Sequence, residues 1–449
     1  MKKIRIGCGA GCSYDRLEPA IELVEKGDID YIVFECLAER TIANNQQQKL
    51  KDPSKGYTPM LEPRIRGILR KCKEEGIKIV TNMGAANPEA AIKLILEITK
   101  EMDITDIKVA MISGDNIIDD LEKYKEIVMW QSTHTLGELE AEIISANVYL
   151  GAEAIKEALD NGADIVVTGR VADVALFVGP LMHEFGWTEN DLYKIGQATL
   201  LGHLLECGGQ ITGGYFADPG YKDVENLHIL GHPIAEIDET GDFIVTKVKG
   251  SGGEVSLRTC KEQLLYEITD PSCYITPNAI VDFTKVCFRQ IDKDVVLVTG
   301  AISKGSPTTY KVNVGYCDCY IGEGEVSFGG LNSLPRAKMC ADIIEKRLKI
   351  VGANIDEYRV DYVGYNSLYK TNISDSFAPK EHSEIRLRIS GRTKNYDDAM
   401  LIAQELDYLY TNGPAGSSGI ESGVKQVLSV GAIIIPKENI NVQITYWEV

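Results

Sequence analysis

The chain has 449 residues and a formal net charge of -19 with 44% hydrophobic residues, an ordinary balance for a folded chain but too long for a single compact core, so two or three domains are expected. The negative charge argues against nucleic acid and anionic membrane as partners, which need basic patches to displace counterions, and leaves anionic small molecules to local cationic pockets. The 11 cysteines show no C-x-x-C pair and no zinc spacing, MKKIRIGCGAGCSYDR meets Asp15 before a signal-like apolar run can build, and no stretch nears the roughly 20 apolar residues of a membrane span, so a cytoplasmic location with reduced thiols is expected.

In the first half, the short apolar runs KIRIG, DYIVFEC, IKIVTN, IKVAMIS and ADIVVTG alternate with amphipathic stretches such as EPAIELVEKG and EAAIKLILEITKEM. That alternation predicts parallel strands with covering helices, and continuous apolar runs suit strands buried on both faces. TENDLYKIGQATLLGHLLECGGQ predicts a helix capped by Thr188 and stopped by Gly208 and Gly209. After GGYFADPG the pattern changes: GDFIVTKVKGSGGEVSLRT reads as a hairpin, and DVVLVTGAI and TYKVNVGY read as strands. Helices are then expected at LPRAKMCADIIEKRLKIVG and DDAMLIAQELDYLY, and strands at EIRLRIS and NVQITYW. The expected fold class is α/β: a parallel-sheet α/β domain with the main cleft over 1–215, a β-rich region over 216–330 and an α+β region over 331–449.

In open parallel sheets ligands bind at the carboxyl ends of the strands. Those ends carry Asp15 and Arg16, then Glu35, then Asn82, then Asp115, and finally Thr168, Gly169 and Arg170. Chance helix capping explains any one of these; as a set they predict the rim of one cleft lined by Asp15, Glu35, Asn82, Asp115 and Arg170. Arg170 at a strand-to-helix turn, beside free backbone N–H groups, predicts an anion site, against which stands a structural Arg170–Asp173 pair. GCGAGC is similar to a dinucleotide fingerprint with Glu35 as the ribose acid, but Cys12 stands where the third glycine belongs.

His203, Glu206 and Cys207 share a helical face with Gly196 and Thr199, narrow enough for a backbone or a ligand to approach. Glu206 in the last turn meets the negative end of the dipole, which favours its protonated form, and His203 is its natural partner in general acid/base work. The competing readings are a satisfied core histidine, an ordinary buried cysteine, or a metal half-site from His203 and Cys207. Gln210, Thr212 and Gly213 in the QITGG turn are expected to fold back beside the substrate. Asp15, Glu35 and Asp115 could gather a Mg²⁺-like ion, but no spacing selects a metal or any other cofactor. The serine hydrolase motif G-x-S-x-G is absent, and GSGGE and NGPAGSSG lack the lysine of a phosphate loop.

TGRVADVAL, GHLLECGGQITGGY, HPIAEI, FIVTKVKGSGGEV with QLLYEI, and LYTNGPAG, in that order and over nearly the whole chain, closely resemble the acyclic terpene utilisation family of AtuA type; GAGCSYDR and KDPSKGY fit it too. The resemblance implies catabolism of branched unsaturated acids. Some relatives carry a fused C-terminal ferredoxin-like domain, so a separate small subunit of that fold is implied as a partner, and self-association into a homo-oligomer is expected as well. The expected activity is a hydro-lyase (hydratase) for a branched unsaturated carboxylic acid or its CoA thioester, mesaconate-like or glutaconyl-CoA-like, with Glu206 and His203 moving protons and Arg170 with the following helix N-terminus holding the anion. Carbon–carbon lyase chemistry would use similar groups. The alternative is a non-catalytic acyl-thioester-binding or assembly subunit.

Overall fold

The computed structural model describes residues 2–377 and 382–449. The chain divides into two units, one of residues 1–315 with 430–449 and one of residues 316–429. The expected boundaries at 215 and 330 do not coincide with this division, because residues 216–315 complete the sheet that the first 215 residues begin.

In the larger unit the elements run β1 (Lys3–Ala10), α1 (Glu18–Lys26), β2 (Tyr31–Phe34), α2 (Glu39–Lys51), α3 (Leu61–Glu75), β3 (Lys78–Thr81), α4 (Pro88–Glu101) and β4 (Lys108–Ser113). They continue through β5 (Ile143–Val148), α5 (Glu153–Asp160), β6 (Ile165–Thr168), α6 (Ala175–Phe185), α7 (Leu192–Leu205), β7 (Pro233–Asp238), β8 (Phe243–Lys247) and α8 (Leu257–Leu265). After these come β9 (Tyr274–Ile275), β10 (Ile280–Asp282), β11 (Cys287–Asp292), β12 (Val295–Thr299), β13 (Ile302–Ser303) and the start of β14 (Thr309–Gly329).

The five expected strands β1, β2, β3, β6 and β4 lie side by side in that order, all parallel. Their alternate residues enter two cores. Ile6, Val33, Val80 and Val166 pack with α5, α6 and α7, whereas Ile32, Ile79, Val109 and Ile165 pack with α1, α3 and α4. Burial on both faces is why these strands read as unbroken apolar runs. Beyond β1 the sheet continues antiparallel through β7, β8, β12 and β11.

The hairpin of this region is β7 with β8, joined through Asp238 and Asp242. The expected second arm, GEVSLRT, instead leads into α8, because Ser256 accepts from the Thr259 N–H and Thr259 reciprocates in a capping box.

The smaller unit begins within β14 and adds α9 (Ser333–Val351), β15 (Glu357–Val363), α10 (Thr371–Phe377), β16 (Glu384–Thr393), α11 (Tyr396–Asn412) and part of β17 (Ser417–Pro436), before β18 (Gln443–Glu448) returns to pair antiparallel with β4. Its sheet order is β15-β16-β14-β17, and apart from α10 its elements follow the β-α-β-β-α-β order of a ferredoxin-like fold. That arrangement, implied for a partner subunit, is therefore also present within this chain. Along β16, Ile385, Leu387 and Ile389 meet α9 and α11, while Arg386 and Arg388 turn to the other face and pair with Glu325 and Glu323 of β14.

A β-carbon at Gly322 of β14 would sit 2.0 Å from the Ala399 carbonyl oxygen of α11, so helix and strand approach there only because a side chain is missing. Gly322→Ala is expected to destabilise this unit by about 1–3 kcal/mol, the usual cost of overpacking, as measured by urea unfolding. An unchanged midpoint would show that the helix is free to shift.

Candidate active site

A cleft of about 830 Å³ opens at the carboxyl ends of β1 and β2, walled on one side by the end of α7 and closed by Tyr266 and Glu267. Its geometry starts from Gly11: a β-carbon there would lie 2.1 Å from the Cys207 carbonyl carbon and 2.3 Å from the Gly208 nitrogen. The loop after β1 and the end of α7 thus touch backbone to backbone. The N–H groups of Gly11 and Cys12 both donate to Asp15 Oδ2, at 2.7 and 3.0 Å. The anion seat that a dinucleotide loop offers to phosphate is filled here by the chain's own carboxylate, and the fingerprint likeness of GCGAGC does not extend to its geometry.

Helix α7 is buried all round from Ile195 onward, and its small residues serve close packing: Gly196 abuts the backbone of β13 and Gly202 abuts Val174. Its cap is Asp191, whose carboxylate accepts from the backbone and hydroxyl of the expected cap Thr188. At the other end Glu206 is 7% exposed and His203 1% exposed. His203 Nε2 lies 3.2 Å from the Leu264 carbonyl oxygen and Nδ1 lies 3.2 Å from Glu206 Oε1. A carbonyl only accepts, so Nε2 carries the hydrogen, Nδ1 keeps its lone pair, and Glu206 donates its acid proton to it.

Electrostatics agree with that assignment. Burial pushes Glu206 well above the usual carboxylate range, helped by Asp173 and Glu267, while burial lowers His203 to about 4. The imidazole, packed against Phe283 and Tyr274, is outside the cleft lining and acts as a holder of Glu206. Glu206 Oε2 is buried without a hydrogen-bond partner among the described residues.

Glu35 also lines the cleft. Its Oε1 accepts from the Leu37 N–H and from Asn82 Nδ2, each at 2.8 Å, and burial with the neighbouring Asp173 raises it to about 8. Asn82 stands behind it, its Oδ1 accepting from the Cys36 N–H at 2.7 Å, so it positions Glu35 and does not itself line the cleft.

The structure departs from expectation at Arg170. Its guanidinium is fully buried and donates to the carbonyls of Leu37 and Val171 and to the Asp173 carboxylate, over the Tyr149 ring at 4.5 Å. A guanidinium so buried, and tied at all three nitrogens, presents no fork to the cleft, and the structural Arg170–Asp173 pair stands in its place. Asp173, not Arg170, reaches the cleft wall.

Asp115 is also elsewhere. Its Oδ2 accepts from the Arg170 N–H and from Asn147 Nδ2, and it lines a separate pocket of about 400 Å³ beside the start of α4. Thr168 and Gly169 are buried in that support, the hydroxyl bonded to the Gly169 carbonyl and the glycine in contact with Asp115. Thr212 closes the turn after α7 by donating to Gly209 and Gly231, and neither it nor Gly213, with φ +112, lines the cleft. Gln210 and Arg16 do line it, with Arg16 anchored to the carbonyls of Leu227 and His228.

Among the unforeseen members are Glu39, Glu267, His232 and Tyr266. Glu39, as the first residue of α2, carried a readable signal, a carboxylate at a helix N-terminus. His232 enters because β7 pairs with β1, which no local pattern announces.

Six carboxyls, Asp15, Glu35, Glu39, Asp173, Glu206 and Glu267, face one arginine in this lining. The cationic pocket expected for an anionic substrate is therefore not what these residues build. With Asp115 apart, the Mg²⁺-like set of Asp15, Glu35 and Asp115 does not assemble, and among the described residues no group of three His, Cys, Asp or Glu is arranged to hold a metal ion. Among the described residues, too, no helix is long and apolar enough to cross a membrane.

These features define an α/β protein with a carboxyl-lined cleft at the strand ends of a mixed sheet. The family model described as acyclic terpene utilisation family protein AtuA matches residues 4–446, and the chain belongs to that family. A search of the curated proteins finds none that matches it.

The protonated Glu206 has a consequence for stability. Its folded value lies above the ordinary 4.5, so its contribution is complete below 4.5 and is lost as the pH rises through the window towards the folded value, where only the unfolded chain ionises. Glu206→Gln keeps a donor for His203 and removes that decline. Urea unfolding at about pH 5 and about pH 8 is expected to show the variant gaining on the parent as the pH rises; a difference that stays constant with pH would contradict a protonated Glu206.

Proposed function

We propose that the chain is a hydro-lyase that adds water to, or removes it from, a branched unsaturated acyl group in acid or terpenoid catabolism, with the acid presented as a thioester. The observation that carries this reading is a pair of buried carboxyls in one cleft, Glu206 held protonated against His203 and Glu35 raised to about 8. Water addition to a conjugated double bond needs one group to take a proton from water and another to give one to the neighbouring carbon. Glu35 in its ionised form is a base strengthened by burial, and Glu206 is the acid reservoir. His203 touches no substrate and acts as a positioning residue.

The thioester is favoured over the free acid by charge. The carboxyls that stay ionised, Glu39 among them, would repel a substrate carboxylate, whereas a thioester carbonyl brings no charge until the transition state, when Arg16 and the protonated acids can answer the developing oxyanion. Mesaconate-like and glutaconyl-CoA-like acyl groups each keep one carboxylate beyond the thioester, so a branched unsaturated acyl group without a second carboxyl fits this lining better.

The test follows loss of the conjugated absorbance of an unsaturated thioester. Glu206→Gln is expected to lower turnover by about two to four powers of ten with binding retained, and Glu35→Gln to remove a limb of the pH–rate profile near 8. A wild-type chain that binds the thioester but never consumes it would replace this reading with that of an acyl-thioester-binding subunit.

A further inference from the structure

Next to the cleft mouth lies a second groove of about 600 Å³, lined by Phe216, Tyr221, Lys222, Arg258, Lys261 and Tyr266, among others. Two observations connect it to the cleft. Tyr266 lines both, and Tyr215, a cleft residue, meets Tyr266 edge-on with ring centroids 6.4 Å apart, so the next residue, Phe216, begins the groove where the cleft ends.

The two cavities have opposite chemistry. In a chain of net charge -19, the groove gathers three cations against one carboxylate, Glu262, whereas the cleft gathers six carboxyls against one arginine. Lys222 and Arg258 both lie over the Phe216 ring, at 4.9 and 5.6 Å. Lys222 is paired with Glu262 and Arg258 with Glu254, while Lys261 has no carboxylate partner among the described ion pairs. Tyr221 is 85% exposed and Leu265 60% exposed, so both present apolar surface to water in the same groove as the cations. Exposed aromatic faces next to cations recognise a heteroaromatic base by stacking and its phosphates by charge.

We propose that this groove holds the phosphorylated adenosine of a nucleotide thioester carrier, with its acyl end reaching past Tyr266 into the carboxyl-lined cleft. The inference rests on the thioester reading above and adds to it the part of the substrate that supplies binding. Phosphates sit on Lys261, Arg258 and Lys222, displacing the surface pairs to Glu254 and Glu262; the adenine packs on Tyr221 beside Leu265. Division of labour follows: the carrier's negative charge stays in the cationic groove, and only the uncharged thioester enters a cleft that would repel an anion.

The test is equilibrium binding of adenosine 3′,5′-bisphosphate and of free coenzyme A to the full chain by titration calorimetry. Wild type is expected to bind both, with affinity that weakens as salt rises. Lys261→Glu combined with Arg258→Glu is expected to weaken both at least tenfold, Tyr221→Ala to weaken them severalfold, and Glu206→Gln to leave nucleotide affinity unchanged. Each variant's melting curve verifies that it is folded, since all three groove positions are exposed. Absence of nucleotide binding in wild type, or affinity unmoved by the groove substitutions, overturns the proposal.

A truncated N-acetylcysteamine thioester separates this from the chemistry. Wild type that hydrates the truncated thioester but binds no nucleotide loses the groove and keeps the reaction. Wild type that binds nucleotide in the groove but hydrates neither thioester keeps the groove and loses the reaction.

Discussion

Two backbones meet at Gly11 and Cys207–Gly208 with no side chain between them, and the site is arranged around that contact. The loop after β1 brings Asp15 and Arg16, and the end of α7 brings Glu206; a methyl group at position 11 would drive them apart. Because α7 is buried on every side, its last turn cannot move away to relieve such a change. The same packing leaves His203 a single arrangement, one nitrogen on the Leu264 carbonyl and the other on Glu206.

Crowding six carboxyls around one cleft is possible only because they are not all charged together. Glu206 and Asp173 are raised by burial, as is Glu35, whereas at Glu39 burial is the largest single influence but the Lys311 charge and hydrogen bonds from the backbone, Lys311 and Tyr149 together outweigh it and lower the carboxyl. Arg170 belongs to the same balance. Behind the wall it answers Asp173 and ties Leu37 and Val171, fixing the floor on which Glu35 and Glu39 stand. A cation used in this way adds rigidity and local charge compensation without being available to a ligand.

Charge also divides the surface near the mouth. Carboxyls gather where the acyl group would react, and cations gather around Phe216, where a carrier's phosphates would be held. Tyr266 stands in both linings, so the boundary between the two chemistries is one side chain wide.

The sequence by itself determined the five parallel strands and the helices that cover them, because burial on both faces and amphipathic periodicity are local properties of composition. It also determined that α7 stops at a glycine pair with Glu206 at its end, and that Asp15 and Glu35 sit at strand ends. Only the tertiary structure decided which polar residues at those ends face the cleft. Arg170, Asn82 and Asp115 occupy equivalent positions along the sheet; Arg170 turned to Asp173, a pairing the local spacing offered as the alternative, whereas Asn82 and Asp115 turned to Glu35 and Asn147, distant in sequence. His232, Tyr266 and Glu267 reached the cleft through long-range packing, and the ferredoxin-like order of residues 316–429 depends on strand pairings between segments far apart in sequence. Periodicity reports what a residue's own segment buries; hydrogen-bond partners and the sign of a cavity's charge are set by segments that only folding brings together.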